Sequence, residues 1–316
     1  MPQKKKYTAS IRQPKVLKHI SLASITRLTV TRYLSAMNSF YTWRRTNGLE
    51  SEPKFPELDL QLGNYLNYLF QNEMPLYLGV NCIAGFKKFY PRCKRHLDTA
   101  SSWLNNWSRI TRRVQAMPLH PSLVKSFMTY GILKGDPEFA ISVYVGFLGL
   151  LRGGEIFNLL LEDCQQRGPN ELCVILRNTK GARLRHVAFE TVILRDPELV
   201  RILLKCKASG QIRLFSRKPA DFYKRYQEAV SFFGLIHPKP TPHGIRRGGA
   251  SWHFKLHGSF DRTVEQGRWS SVGSARTYIN EAAAESAALG GSPQSRARIK
   301  DAVDSCPMLL RRAFPI

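Results

Sequence analysis

Residues 136–151 read DPEFAISVYVGFLGLL, and residues 152–155 continue as RGGE. Asp136 is a good N-cap and Pro137 suits the first position of a helix, so the stretch predicts a helix that begins there. Apolar residues lie on all sides of this helix, which is typical of a helix buried in a domain core. We therefore expect a central buried helix that ends beside Arg152 and Glu155.

The sequence around this helix mixes helical and β-rich patterns. Residues 171–177 and 184–189 are β-rich runs, and the polar, glycine-containing segment 178–183 between them predicts an antiparallel hairpin with Lys180 at its tip. The proline-containing segment 117–121 stops a helix and marks the start of a domain, residues 117–316, which ends in a C-terminal tail. Helical patterns in this domain occur at 121–133, 197–205, 219–233, 244–256, 263–268, 273–278 and 296–310.

Four amphipathic helices are predicted before this boundary, at 24–47, 58–72, 78–90 and 98–114. Together they form a compact helical domain over residues 21–116. Residues 1–20 carry lysines and arginines with few apolar residues, so we expect a basic flexible arm there. The predicted fold is mainly α, in the α+β class, with a four-helix domain followed by helices and a small antiparallel sheet.

The charge of the chain points to a polyanionic partner. It has 48 Lys and Arg against 23 Asp and Glu, a formal net charge of +25, and 43% of its 316 residues are hydrophobic, enough to build cores. A membrane surface is the alternative, but neither a basic amphipathic helix nor a lipidation motif is evident. Phosphate contacts are expected from basic residues of the third and fourth helices, namely Lys87, Lys88, Arg92, Lys94, Arg95, Arg109, Arg112 and Arg113.

The cysteines and the apolar segments set further expectations. Six cysteines form no Cys-x-x-Cys pair, so we expect reduced thiols in an intracellular protein rather than a zinc site or a disulfide scaffold. The N-terminus lacks an apolar signal segment, and the longest apolar stretch, residues 140–151, is too short to cross a bilayer. We expect no metal, cofactor, membrane or small-molecule substrate, and a nuclear location if the host is eukaryotic.

Four clusters of the second domain are candidates for chemistry. Arg152 and Glu155 lie three residues apart, a spacing that also suits a structural ion pair. Lys180 could equally be an ordinary surface lysine of a turn. His243 and Arg246 open a predicted helix, where the positive end of the helix dipole favours an oxyanion.

The fourth cluster, Trp269 and Tyr278, completes an ordered set of residue types along the chain. Trp269 precedes Tyr278 by nine residues, and in this order and spacing the clusters resemble the tyrosine recombinase family, also called phage-type integrases. The resemblance covers most of residues 117–280, and the four-helix region resembles the family's core-binding domain in helix count, size and charge. It implies catalytic roles, with Glu155 in support, for Arg152, Lys180, His243, Arg246, Trp269 and Tyr278.

The resemblance implies a site-specific DNA recombinase or integrase that cleaves and rejoins strands of double-stranded DNA through a 3′-phosphotyrosine intermediate, as a homo-tetramer on paired sites. Two arginines would clamp the scissile phosphate, because a guanidinium binds phosphate bidentately and stays charged. Tyr278 would attack with His243 as base, and Lys180 would be the general acid. Trp269 stands where histidine is more frequent; its indole N–H can donate to a phosphate oxygen but cannot shuttle a proton.

Two alternatives stay open at this point. A topoisomerase that nicks single strands shares the chemistry but needs no partner DNA, and a captured, non-catalytic regulator would keep only the fold and the DNA binding. Arg268-Trp269 replaces the usual Gly-His pair, which is a departure from the family pattern. Residues 296–310 suit either docking onto a neighbouring protomer or packing within the chain.

Overall fold

The computed structural model describes residues 22, 24–49, 53–111, 115–235, 239–289 and 291–315. The chain divides into two compact units, residues 1–114 and 115–316. The predicted basic arm, residues 1–20, lies outside the described residues.

The first unit contains the predicted amphipathic helices: α1 (Arg27–Thr46), α2 (Phe55–Gln71), α3 (Leu76–Phe89) and α4 (Asp98–Ile110), with a 3₁₀ turn at Pro91–Arg95. Phe40 is fully buried and makes edge-to-face contacts with Tyr65 and Phe86, so three helices meet in one aromatic core. Buried Asp59 accepts hydrogen bonds from the backbone N–H groups of Thr99 and Ala100. This carboxylate caps the N-terminus of α4 and ties it to α2.

The second unit is built around two adjacent, largely apolar helices, α5 (Pro121–Leu133) and α6 (Pro137–Leu148). The Asp136 side chain accepts from the backbone N–H of Phe139, which confirms the predicted N-cap. The other helices of the unit are α7 (Gly153–Asn158), α8 (Lys180–Arg185), α9 (Pro197–Ala208), α10 (Pro219–Phe232), α11 (His243–His257), α12 (Phe260–Gly267), α13 (Val272–Arg276), α14 (Glu281–Leu289) and α15 (Pro293–Ala313).

Three antiparallel strands form the small sheet, in the order β1 (Cys164–Gly168), β2 (Glu171–Arg177) and β3 (Phe189–Leu194). Val174 of β2 pairs with Cys164 of β1 and with Val192 of β3. Alternate residues of β2 are buried, so one face of the sheet packs on the core of the unit. The mainly helical fold with a small antiparallel sheet, expected from the sequence, is confirmed.

The predicted second strand of the hairpin is wrong in position. Residues 180–185 form the short helix α8, and the strand begins only at Phe189. Thr179 explains the difference, because its hydroxyl accepts from the backbone N–H of Ala182 and caps a helical turn. Lys180 is therefore the first residue of a helix inside the β2–β3 connection, not the tip of a tight turn.

The C-terminal helix packs within the chain. The hydroxyl of Thr129 on α5 donates to the carbonyl of Ala302 on α15 at 2.7 Å, and that of Ser126 donates to the carbonyl of Ile299 at 3.3 Å. Of the two arrangements that the sequence left open for residues 296–310, the structure has packing in cis.

The described residues contain no helix that combines the length and the apolar character needed to cross a membrane. They also hold no cluster of three or more His, Cys, Asp or Glu side chains suited to a metal ion. All six cysteines are free thiols, and five are buried.

Candidate active site

Arg152 sits at the point where the buried helix α6 gives way to α7. It is the N-cap of α7: its backbone N–H donates to Oε2 of Glu155 at 2.9 Å, and its Nη1 donates to Oε1 of the same carboxylate at 2.7 Å. About a third of the Arg152 side chain stays exposed. Glu155 thus holds the arginine in place while leaving part of the guanidinium accessible.

Glu155 is a buried acid among three arginines. Its Oε2 lies 2.8 Å from Nη2 of Arg268 and 3.9 Å from Nη1 of Arg246, in addition to the Arg152 contact. Burial alone would raise the pKa of this carboxyl, but the charge of Arg268, the backbone N–H of Arg152 and the charge of Arg246 outweigh it and lower the pKa. Glu155 is therefore ionised near neutral pH and anchors the cations around it.

Arg246 lies in the first turn of α11 and its side chain is only 1% exposed. Nη1 donates to the carbonyl of Leu150, and Nη2 donates to the carbonyl of Gly267 at 2.7 Å. Burial and the charges of Arg152 and Arg268 lower the pKa of this guanidinium. Since arginine stays protonated in proteins, the site holds a desolvated cation that an anion would stabilise.

Glycine lets α11 approach its neighbours closely enough to bury Arg246. A Cβ added at Gly248 would lie 1.9 Å from the carbonyl oxygen of Leu119, and one added at Gly249 would lie 2.1 Å from that of Phe147. A larger residue would force α11 away from the segment before α5 at Gly248 and away from α6 at Gly249. The sequence RRGG at 246–249 therefore combines the buried cation with the contact that buries it.

Tyr278 follows α13 and is half-buried among the other predicted site residues. Its ring centroid lies 5.4 Å from that of His243 and 4.9 Å from that of Trp269. The guanidinium carbon of Arg246 lies 5.4 Å from the centre of the tyrosine ring. Residues up to 35 positions apart in the chain thus meet around one phenol.

His243 is the first residue of α11, and its pKa is lowered by burial and by the charges of Arg246, Arg247 and Arg152. The imidazole is therefore neutral near neutral pH and able to accept a proton. Its T-shaped contact with Tyr278 places the candidate base directly beside the candidate nucleophile.

Three buried donors around Tyr278 have no hydrogen-bond partner among the described residues: Nε of Arg246, Nε of Arg247 and Nε1 of Trp269. The Trp269 ring also stacks on Arg246, whose guanidinium carbon lies 4.6 Å from the ring centre. A buried donor without an acceptor costs about 1–3 kcal/mol. Unpaired donors beside two guanidiniums are the arrangement expected of a site for a polar, anionic group.

Lys180 is the one predicted catalytic residue that the structure leaves apart. It is exposed at the start of α8, and no hydrogen bond or ion pair joins it to a described residue. The structure thus brings together Arg152, Glu155, His243, Arg246, Trp269 and Tyr278, and leaves Lys180 on the β2–β3 connection.

The predicted phosphate-binding residues of the first unit lie mainly on its surface. Arg92, Lys94, Arg95 and Arg109 are exposed, while Lys87 and Lys88 are half-buried and donate to Ser101 and Ser24. None of the six forms an ion pair with an acid in the part of the chain that the structure describes. Arg112 and Arg113 lie outside the described residues.

Sequence reasoning gave no role to Arg268, which the structure buries in the site. Its Nη2 donates to Glu155 at 2.8 Å, and burial lowers the pKa of its guanidinium. No local pattern points to this contact, because the two residues lie 113 positions apart.

No protein-family model matches the chain, and no curated protein matches its sequence. Among solved structures, it is similar to the XerH site-specific recombinase bound to difH substrate, with 15% identity, a TM-score of 0.60, and coverage of 81% of this chain and 76% of that one. A lambda integrase dimer bound to a COC′ core site gives 12% identity, a TM-score of 0.57, and coverage of 81% and 73%. The Tn1549 transposon integrase in complex with transposon right end DNA gives 14% identity and a TM-score of 0.52, and the match covers 88% of this chain and 94% of that one. The chain has the fold of the tyrosine recombinases and integrases, as its motifs indicated.

Proposed function

We propose that this protein is a site-specific DNA recombinase that cleaves and rejoins DNA strands through Tyr278. One observation carries the proposal: the Tyr278 ring is enclosed by His243, Trp269 and the buried Arg246, where three donors have no acceptor among the described residues. A phosphodiester in this place supplies the missing acceptors and the missing negative charge at once.

The two predicted clamp arginines differ in a way that suits two tasks. Arg246 is fixed by two carbonyls and holds its charge in a dry site, where it stabilises the developing charge on the non-bridging oxygens. Arg152 is partly exposed and tethered by Glu155, so its guanidinium meets the phosphate from the solvent side. Trp269 adds a single N–H donor to a phosphate oxygen, which fits its unpaired Nε1.

Cleavage proceeds as an in-line substitution at phosphorus. The Tyr278 hydroxyl gives its proton to His243 while its oxygen forms a bond to phosphorus, and the bond from phosphorus to the 5′ oxygen breaks. The 5′ oxygen takes a proton from Lys180, carried on α8 of the β2–β3 connection. The products are a 3′-phosphotyrosine and a free 5′ hydroxyl.

Rejoining reverses these steps with a 5′ hydroxyl from a partner strand. That hydroxyl attacks phosphorus, the bond to the Tyr278 oxygen breaks, and the phenol recovers its proton. The number of phosphate ester bonds is unchanged throughout, so the exchange runs without an external energy source. Strand exchange requires two DNA sites, which we assign to a homo-tetramer on paired sites.

Double-stranded DNA is the substrate that best fits the charge of the chain. The net charge of +25 and the exposed cations of the first unit that form no ion pair with a described acid, such as Arg92, Lys94 and Arg109, supply phosphate contacts that carry no sequence information. These contacts hold the duplex while the second unit reacts with one phosphodiester.

Covalent capture tests the proposal. The protein is incubated with sheared, nicked genomic DNA and denatured in detergent, and the strands that remain attached to protein are sequenced. We expect adducts with the wild type, joined to Tyr278 and converging on one sequence, and none with Tyr278→Phe. The matched control is Tyr223→Phe, which alters an exposed tyrosine of the same unit and should leave adducts unchanged.

Each other outcome contradicts part of the proposal. An adduct that survives Tyr278→Phe would remove Tyr278 as the nucleophile. Adducts scattered without sequence preference would indicate a topoisomerase, and tight DNA binding without any adduct would indicate a non-catalytic regulator.

A further inference from the structure

Arg268 occupies a backbone conformation that arginine rarely adopts. It closes α12 with a φ of 55°, in the left-handed region, where glycine is the usual residue. Its side chain is nevertheless only 4% exposed, and both of its Nη atoms donate hydrogen bonds, so side-chain contacts help to hold an unfavourable backbone. A strained and buried arginine next to the candidate active site calls for a functional explanation.

One side of the Arg268 guanidinium holds the segment that carries Arg152. Nη2 donates to Oε2 of Glu155 at 2.8 Å and to the carbonyl of Leu150 at 3.3 Å, while Nη1 donates to the carbonyl of Gly149 at 3.2 Å. These three acceptors lie at the end of α6 and in the first turn of α7. Arg268 therefore fixes the turn in which Arg152 is the N-cap.

The other side of the guanidinium faces the connection that carries Lys180. Nε of Arg268 lies 3.7 Å from Oε2 of Glu190, a buried acid on β3. The same carboxylate accepts hydrogen bonds from the hydroxyl of Thr179, the N-cap of α8, and from the guanidinium of Arg185, the last residue of α8.

Glu190 lies directly beneath the start of α8. A Cβ added at Gly181, the residue after Lys180, would fall 2.3 Å from Oε1 of Glu190. A side chain at this position would have to push the Glu190 carboxylate aside, so the position of the carboxylate and that of the Lys180 backbone are coupled. Whatever holds Glu190 also holds the helix that begins with Lys180.

We propose that Arg268 is a positioning residue for strand cleavage: bridging Glu155 and Glu190, it sets the place of Lys180, the general acid, relative to the phosphate clamp. The inference rests on the proposed function. Arg268 touches neither the phosphate nor Tyr278 in this scheme; it acts on protonation of the leaving 5′ oxygen through Glu190 and α8. Lysine cannot replace it, because a single ammonium cannot reach both carboxylates and the carbonyls in a planar fork.

A substrate that needs no general acid tests this role directly. In DNA with sulfur in place of the bridging 5′ oxygen, the bond from phosphorus to sulfur breaks and a 5′ thiolate leaves without taking a proton. Rates of covalent adduct formation are compared for the oxygen and sulfur versions of the site found by covalent capture. Lys180→Ala sets the benchmark: slow on oxygen and restored on sulfur.

We expect Arg268→Lys and Glu190→Gln to follow that benchmark, with adduct formation slowed about ten-fold or more on oxygen and close to the wild-type rate on sulfur. Arg246→Lys, which damages the clamp, should be slow on both substrates. Arg195→Lys, a change at an exposed arginine of the same unit, should match the wild type on both. Thermal unfolding of each variant is recorded first, and Glu190→Gln carries the comparison if Arg268→Lys does not fold.

The outcomes separate this inference from the proposed function. Wild type that forms no adduct on either substrate would overturn both. Wild type that reacts, with the Arg268 and Glu190 variants equally slow on oxygen and sulfur, would place Arg268 in the clamp or in the fold and overturn the inference alone. Variants that match the wild type on oxygen would also overturn it.

Discussion

Exposed cations of the first unit and the buried site arginines of the second unit hold positive charge in opposite ways. In the first unit Arg92, Lys94 and Arg109 are exposed and form no ion pair with a described acid. In the second unit Arg246 and Arg268 are almost completely buried and are fixed by backbone carbonyls and by Glu155. The same charge thus appears once as a solvated surface and once as a rigid, desolvated cluster.

Exposed and buried cations therefore contribute differently to DNA binding and to catalysis. Solvated cations bind phosphates through a screened potential, so each one adds a small amount and none is individually essential. Buried guanidiniums cost desolvation when the chain folds, and they act at full strength on charge that develops in a dry site. We expect large effects from single changes in the second unit and small effects in the first.

Arg246→Lys should have the largest effect. Lysine keeps the charge but cannot donate to the carbonyls of Leu150 and Gly267 while also presenting Nε to a phosphate. We expect the rate of adduct formation to fall about 10²–10³-fold, as on removal of a transition-state donor, with DNA binding almost unchanged. Single-turnover capture and a binding assay measure the two quantities. A rate close to that of wild type would show that the buried cation is structural.

His243→Gln comes next, and its pH dependence identifies the mechanism. Burial and three arginines lower the pKa of His243 below its ordinary 6.5, so the imidazole is neutral near neutral pH and becomes protonated only as the pH falls below that lowered pKa. The wild-type kcat/KM for cleavage should therefore be lost on the acid side, with an apparent pKa below 6.5.

The substitution should lower the rate about 10²-fold and abolish the acid limb, because glutamine does not titrate. Rate–pH profiles of wild type and variant, measured at saturating DNA and at low DNA, check both points. An acid limb that persists in His243→Gln would assign it to a different group.

Local sequence signals predicted most of the fold. Amphipathic spacing, N-caps such as Asp136 and breaks at proline marked helices in both units, since these signals act over a few residues. No helix was predicted over Glu281–Leu289, yet this stretch forms α14, in keeping with the high helix propensity of its alanines. The β-rich composition of residues 184–189 predicted a strand where part of α8 lies, because the Thr179 cap stabilises a helical turn there.

Candidate site residues could be selected from motifs, but the contacts between them could not. Motif order and spacing selected six side chains that the structure brings together around Tyr278 or Glu155. Arg268 could not be found in this way, since its partners Glu155 and Glu190 lie far away in the sequence and meet it only through tertiary packing. The burial of Arg246 likewise depends on the long-range approach of α11 to α6.

Trp269→Phe should have a smaller effect that isolates one hydrogen bond. Phenylalanine keeps an aromatic face for Arg246 and Tyr278 but removes Nε1, a buried donor without a partner among the described residues. A hydrogen bond to a charged group contributes about 1.5–3 kcal/mol; at the lower end of this range, which suits one neutral indole donor, the rate should fall about ten-fold. The rate of covalent adduct formation by wild type and variant measures this loss.

The free protein offers a control for the same change. Removal of an unsatisfied donor offsets part of the packing lost with the larger indole ring, so the variant should stay folded with a stability near that of wild type, as read from thermal unfolding. A variant with the wild-type rate would mean that the indole N–H does not meet the phosphate.

Single substitutions in the first unit should have the smallest effects and so complete the contrast. Arg92→Ala removes one exposed cation that has no ion-pair partner among the described residues, so the free energy of unfolding should hardly change. DNA affinity should fall only a few-fold, equally for specific and random duplexes, and the slope of log K against log salt should decrease by about 1. The rate of adduct formation at saturating DNA should stay at the wild-type value, because a screened surface charge acts on binding and not on the reacting phosphate. Salt titrations on two duplexes check this, and a change in sequence preference would instead place Arg92 against a base edge.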